Sequence, residues 1–144
     1  MGPYVVGVER VVPANPQAVF DVLADPARHP ALDGSGSVRS GRGELPARLY
    51  AGARFSMNMR MVLPYRVTNV VVEFDEPRLI AWRHFAGHRW RYRLTAVSEG
   101  TLVREEWDSS GVAHLWPGLR LLGFPERNRR GMAASLERLA EIVG

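Results

Sequence analysis

The stretch WRYRLTAVSEGTLVREEWDSS, residues 90–110, decides the fold of this chain. Aromatic or aliphatic side chains alternate with arginines in its first half, and the alternation resumes after the turn signal Glu99-Gly100. Residues that alternate in this way lie on opposite faces of a β-strand, and a glycine between two such runs favours a tight turn. The stretch therefore predicts two antiparallel strands that form a hairpin.

The same period of two continues upstream of this hairpin. We expect strands near residues 36–42, 53–62, 65–75, 78–86, 88–98 and 101–109, after a first strand over Tyr4–Val12. Asn15 followed by Pro16 is typical of the start of a helix, so a short helix is predicted there. A second short helical turn is predicted over residues 27–32. Residues 111–124 are apolar without a clear period. From Pro125 to Val143 an apolar stripe predicts one long helix.

This order of elements predicts an α+β fold. We expect a curved antiparallel sheet of about seven strands that grips the long C-terminal helix, with two short helices between strands 1 and 2. The 144 residues are interpreted as a single domain, residues 1–144. A single helix does not cover the whole concave face of such a sheet, so the fold leaves room for a cavity.

Composition excludes several classes of function. The chain has no cysteine, which rules out disulfides, cysteine–zinc sites and thiol nucleophiles. All 19 basic residues are arginine, yet the net charge is only +4. Strand alternation places the arginines of residues 89–93 opposite the aromatic side chains, which argues against a stacking surface for nucleic acid. We expect a cytoplasmic protein without integral membrane association, either a monomer or a homodimer.

Four stretches carry a resemblance to a known family. They are VERVVPANPQAVFDVLADPARHPALDGSG (8–36), VVEFDEPRLIAWRH (71–84), the hairpin at 90–110 and GMAASLERLAEIV (131–143). Together they resemble the START-like, helix-grip (SRPBCC) superfamily, and most of all its bacterial polyketide cyclase/dehydrase and lipid transport type proteins. The resemblance implies a helix-grip fold with a cavity between the sheet and the C-terminal helix. It implies no particular reaction.

Alternation assigns side chains to the face of the sheet that would line this cavity. The predicted face is rich in methionine and tryptophan, which suits an adaptable apolar pocket with a few polar groups. A fully packed core is the alternative. The predicted ligand-binding residues are Phe55, Met57, Met59, Val70, Val72, Ile80, Trp82, His84, Trp90, Tyr92, Glu105, Trp107, Met132 and Leu136.

Glu105 is the residue that a packed core explains least well, because a buried carboxylate needs a partner. His84, Tyr92 or an arginine could supply that partner in a structural polar cluster. The same three residues, His84, Tyr92 and Glu105, are candidates for acid–base catalysis in a cyclase, dehydratase or hydrolase. The function that we expect is binding or carriage of a small hydrophobic molecule. The alternatives are such an enzyme or a protein-interaction domain with a filled core.

Residues 25–41, DPARHPALDGSGSVRSG, connect the short helices to the second strand. The glycines favour tight turns, and GSG lacks the lysine and the following helix of a phosphate-binding loop. His29 and Asp33 are expected either to cap this turn or to line the cavity entrance. The four histidines lack the spacing of metal ligands, so we expect no metal site and no cofactor.

Overall fold

The computed structural model describes residues 4–34, 38–42, 45–60, 63–84 and 87–144. Its strands are β1 (Val5–Val12), β2 (Val38–Arg42), β3 (Arg54–Arg60), β4 (Pro64–Asp75), β5 (Leu79–His84), β6 (Arg89–Val97) and β7 (Gly100–Asp108). Its helices are α1 (Pro16–Leu23), α2 (His29–Leu32), α3 (Trp116–Leu121) and α4 (Phe124–Val143). Short 3-10 turns at Pro26–Arg28 and Ser110–Leu115 precede α2 and α3. The predicted strand ends at 36–37, 61–62 and 85–86 lie outside the described residues.

The seven strands form one antiparallel sheet in the order β1-β7-β6-β5-β4-β3-β2. Helix α4 buries Met132, Leu136 and Leu139 against this sheet, so the predicted α+β helix-grip architecture is confirmed. The predicted C-terminal helix begins one residue earlier than expected, at Phe124. Within the described ranges, no helix is long and apolar enough to cross a bilayer.

Helix α1 begins as the sequence predicts. The Asn15 side chain accepts a hydrogen bond from the backbone N–H of Ala18 at 2.8 Å, and Pro16 occupies the first helical position. Asn15 thus accepts one of the N–H groups that the helix start leaves free, and Pro16 has no N–H to leave free. Val19 and Phe20 are among the side chains that α1 buries in the core.

In the first half of β4, the prediction of which side chains face the interior is wrong. Val70 pairs with Arg54 and Arg83 in the register of the outer face, so it does not line the interior. The inner face carries Val67, Asn69 and Val71 instead, all of which are buried. Opposite residues of antiparallel strands share a face, and Asn69 pairs with the core residue Phe55.

A β-bulge explains the error. Val71 pairs with Trp82 and Glu73 pairs with Ala81, which leaves Val72 as an extra residue without a partner on β5. The extra residue exchanges the two faces of β4 at that point. Phe74 consequently points inward and packs edge-on against Phe20. Val72 itself is partly buried and lies outside the core cluster, so its predicted place in the binding site is also corrected.

Candidate functional site

The inner face of the sheet brings most of the predicted binding residues together. Tyr92 on β6 lies directly opposite Glu105 on β7, and the next inward pair along the same strands is Trp90 and Trp107. On β5, Trp82 lies opposite Trp90. These cross-strand pairs place an acid, a phenol and three indoles on one continuous surface.

Most of the other predicted residues are packed in the core. Side chains that the structure buries are Phe55, Met57, Ile80, Trp82, Met132 and Leu136, whereas Met59 and Trp90 are only partly buried. His84 ends β5 opposite Asn69, but its side chain lies outside the described part of the structure. Its predicted catalytic role therefore stays a prediction.

Glu105 has the least satisfied environment on this surface. Its side chain is 4% exposed, and in the described structure its Oε1 atom has no hydrogen-bond partner. Burial raises the pKa of Glu105 well above its ordinary value, the Tyr92 hydroxyl lowers it in part, and the Asp33 charge raises it again. The environment thus favours a neutral carboxylic acid with one oxygen available for a further hydrogen bond.

Tyr92 complements this acid. Burial raises the pKa of Tyr92 well above its ordinary value, and the neighbouring charges of Glu105 and Asp33 act in the same direction. The phenol therefore keeps its proton. A protonated phenol beside a protonated carboxyl group can donate or accept hydrogen bonds, but it provides no fixed charge.

His29 is packed in the core, and its predicted place at a cavity entrance stays a prediction. The imidazole is buried, stacks on Trp82 with ring centroids 4.8 Å apart, and meets Phe55 edge-on. Its Nε2 atom donates to the carbonyl oxygen of Leu23 at 2.9 Å. Burial lowers the pKa of His29, so the ring is a neutral part of the core.

Asp33 lies where α2 ends and the chain turns towards β2. One of its carboxylate oxygens accepts from the backbone N–H of Val38 at 2.9 Å, and its carbonyl accepts from Arg138 of α4 at 2.7 Å. The adjacent Gly34 N–H donates to Ser135 Oγ at 2.8 Å. These bonds tie the turn to α4 and hold the Asp33 charge close enough to raise the pKa of Glu105 and Tyr92. Its place at an entrance stays a prediction.

Sequence reasoning missed the role of His88. The Trp107 indole N–H donates to His88 Nδ1 at 2.9 Å, and the His88 ring meets Trp90 and Trp107 edge-on. Trp116 then stacks obliquely on Trp107 at 6.1 Å, which extends the aromatic cluster to the start of α3. Alternation offered a signal, since His88 has the same parity as Trp90 and Tyr92. Among the described residues, no group of acids and histidines is arranged to hold a metal ion.

Comparison with known proteins agrees with this architecture. Residues 5–144 match the model of the family described as polyketide cyclase / dehydrase and lipid transport. An uncharacterized Mycobacterium tuberculosis protein, Rv0088, is 37% identical over 145 residues, which cover 97% of this chain. The chain spans 64% of the length of that relative.

Two solved structures show the same fold at low sequence identity. The KanY protein has a TM-score of 0.77 with 16% identity, and the match covers 99% of both chains. An AHSA1-like protein from Aeromonas hydrophila has a TM-score of 0.68 with 17% identity, covering 95% of this chain and 90% of that one.

Proposed function

The chain belongs to the polyketide cyclase / dehydrase and lipid transport family within the helix-grip superfamily, and from this we propose that it binds a small hydrophobic molecule between its sheet and α4. The observation that carries the proposal is the unpartnered Oε1 atom of Glu105 on a surface of aromatic side chains. A buried polar atom without a partner costs about 1–3 kcal/mol, and a ligand that hydrogen-bonds to it would offset that cost.

The surroundings of Glu105 indicate the class of ligand. Trp90, Trp107 and Tyr92 lie near Glu105 on the inner face, and of these three Trp90 is only partly buried. The protonated Tyr92 and Glu105 pair offers hydrogen bonds without a full charge. Aromatic faces of this kind pack well against planar apolar molecules. We therefore expect a neutral ligand, aromatic or otherwise planar, with one hydroxyl group directed at Glu105.

Two experiments test this proposal. Native mass spectrometry of the freshly purified protein should show an organic molecule bound once per chain. Independently, calorimetric titration should show that 2-naphthol binds about tenfold more tightly than 2-methoxynaphthalene, which cannot donate a hydrogen bond; tenfold corresponds to about 1.4 kcal/mol. Absence of a co-purified molecule together with absence of binding by either naphthalene would overturn the proposal.

Variants at Glu105 test whether the preference for 2-naphthol depends on this residue. Glu105→Leu removes the hydrogen-bonding group at similar size, so it should abolish the preference for 2-naphthol while 2-methoxynaphthalene binds as it does to the wild type. Glu105→Gln keeps a neutral polar group and should retain part of the preference. A preference that persists in Glu105→Leu would place the hydroxyl group elsewhere.

A second function is favoured by the same pair of residues. An acid with a raised pKa beside a phenol has the properties of a general acid, as a cyclase or dehydratase requires. In that case a co-purified molecule or its precursor would be converted by the wild type. Turnover would be lost in Glu105→Gln although its melting temperature is not lowered. A protein that only binds its ligand would leave every candidate ligand chemically unchanged.

A further inference from the structure

The corner between α3 and α4 projects leucine side chains into solvent. Helix α3 buries none of its residues, and Leu121 and Leu122 are 88% and 74% exposed. Gly123 follows them with a φ angle of 79°, a left-handed conformation that turns the chain sharply into α4. The two leucines therefore occupy the apex of a helix–helix corner, with Leu115 half exposed nearby in sequence. Adjacent exposed leucines at a protruding corner are typical of an interaction surface.

Arginines surround this apex. Residues 120–130 hold four arginines and one glutamate, a net charge of +3. Glu126 pairs with Arg129 at 2.6 Å and with Arg130 at 3.4 Å. Most of these arginines lie in the first turns of α4, where the helix dipole disfavours cations. The pairs with Glu126 account for Arg129 and Arg130 locally, but one carboxylate does not balance four arginines, and an anionic partner would supply the missing negative charge.

We propose that this corner, residues 115–130, docks onto an anionic lipid bilayer, with Leu121 and Leu122 inserted among the acyl chains and the arginines at the headgroups. Apolar side chains that protrude from a cationic surface have the arrangement of an interfacial membrane anchor. Each arginine near an anionic surface adds electrostatic attraction. The proposal rests on exposed residues alone and is independent of the ligand proposed above.

A second copy of the chain fits this surface less well. A symmetric contact through the corner would bring Arg120 and the arginines of α4 towards their own copies. Exposed like charges at such a contact repel each other, and no compensating acidic patch lies in residues 115–130, where Glu126 is the one acid. A bilayer containing phosphatidylglycerol offers acyl chains to the leucines and anionic headgroups to the arginines at the same time.

Co-sedimentation with vesicles tests the proposal. The purified chain is mixed with vesicles of phosphatidylcholine, or of phosphatidylcholine with 30 mol% phosphatidylglycerol, at about 0.1 M salt. We expect at least tenfold stronger binding to the vesicles with phosphatidylglycerol, and weaker binding at 0.5 M salt. Equal binding to both vesicle types, or binding to neither, would overturn the proposal and leave the corner to an acidic protein partner.

A matched pair of variants distinguishes insertion of Leu121 and Leu122 from nonspecific hydrophobic binding to the vesicles. Leu121→Ser/Leu122→Ser should weaken binding to the anionic vesicles at least tenfold. Leu63→Ser removes a leucine that is equally exposed, at 73%, in the loop before β4, and should change binding less than twofold. Arg127→Gln/Arg130→Gln should remove most of the preference for phosphatidylglycerol. Unchanged binding of the double-leucine variant, with an unchanged melting temperature in all variants, would contradict insertion at this corner.

Discussion

Glu105 and Glu106 are neighbours in β7 that meet opposite environments. Both residues are almost completely buried, each with 4% exposure. Glu106 faces outward and accepts hydrogen bonds from Arg104 at 2.7 Å and Arg91 at 2.9 Å. Glu105 faces inward, where its Oε1 atom has no partner among the described residues. One residue step along a strand changes the face, and with it the electrostatic environment.

The difference shows that burial of an acid does not by itself indicate a functional site. Burial tends to raise the pKa of Glu106, but hydrogen bonds from Arg104 and Arg91 outweigh that effect and hold the pKa below its ordinary value. Burial also raises the pKa of Glu105, and the hydrogen bond from the Tyr92 hydroxyl opposes that effect only in part. The outer acid belongs to a structural network, whereas the inner acid keeps an unused hydrogen-bonding atom.

Arg91 is the centre of the outer network, and its loss should have the largest effect on stability. It contacts Glu73 at 2.7 Å, Glu106 at 2.9 Å and Asp108 at 3.0 Å. Arg91→Met would leave three neighbouring carboxylates without their shared cation. We expect the free energy of unfolding to fall by about 3–5 kcal/mol, measured by urea denaturation at pH 7.

Arg93→Ala is the control for Arg91→Met. Arg93 is half exposed and touches only the edge of the network, 3.4 Å from Glu106. An exposed ion pair contributes about 0–1 kcal/mol, so this variant should be nearly as stable as the wild type. Equal losses for the two variants would mean that the network does not depend on a buried central cation.

The second prediction compares the two acids directly. Glu106→Gln replaces a charged acceptor of Arg91 and Arg104, so the free energy of unfolding at pH 7 should fall by about 1.5–3 kcal/mol. Glu105→Gln replaces a group that is already neutral in the folded protein but ionises on unfolding, so we expect no loss at pH 7 and instead a gain of up to about 1.4 kcal/mol for each pH unit above 4.5. Urea denaturation of both variants in one buffer measures the difference. A larger loss for Glu105→Gln would show that the inner acid is charged and structurally paired.

Much of this comparison could be predicted from the sequence. Alternation in residues 90–110 placed Tyr92, Trp90, Glu105 and Trp107 on one face, and the register of β6 and β7 confirms it. The hairpin is regular, with a single glycine turn, so every second side chain of each strand lies on the same face. The outward position of the arginines followed from the same alternation, and in the structure Arg91 and Arg104 donate hydrogen bonds to Glu106 on that face.

The predictions failed where the chain does not form a regular strand with side chains that alternate between two faces. In β4 the bulge at Val72 lies within three consecutive valines, which give no compositional sign of an extra residue. Helix α3 was not predicted because WPGLRL is short and contains both proline and glycine. The ring contacts of His29 could not be predicted either, because the sequence does not show that Trp82 stacks on it and Phe55 meets it edge-on.

The third prediction concerns pH. Because the folded-state pKa of Glu105 is raised, the folded protein binds an extra proton at pH values above the ordinary value of 4.5. Stability is therefore lost as the pH rises from 4.5 towards the folded-state pKa, by up to about 1.4 kcal/mol per pH unit. The free energy of unfolding is measured for the wild type and for Glu105→Gln from pH 4.5 to 8. The difference between the two proteins gives the pH dependence that is due to Glu105, because His29 titrates in both and its contribution cancels.

Glu106 should give the opposite sign in the same experiment. Its folded-state pKa is lowered, so its contribution is present above pH 4.5 and is lost as the pH falls through the folded-state value. The difference between wild type and Glu106→Gln should therefore shrink in acid and stay constant above about pH 5.5. A flat difference for Glu105→Gln over the whole range would contradict the raised pKa and remove the contrast between the two acids.

The smallest expected effect belongs to Tyr92→Phe. The Tyr92 hydroxyl lowers the pKa of Glu105 against the effect of burial, so its removal should raise that pKa further and extend the falling part of the stability curve to higher pH. The free energy of unfolding at pH 7 should fall by about 1 kcal/mol. A double-mutant cycle with Glu105→Gln should give a coupling of about 0.5–1.5 kcal/mol, since the two groups are in contact. Additive losses would mean that the phenol and the acid act separately, and the inner site would then have two independent polar groups.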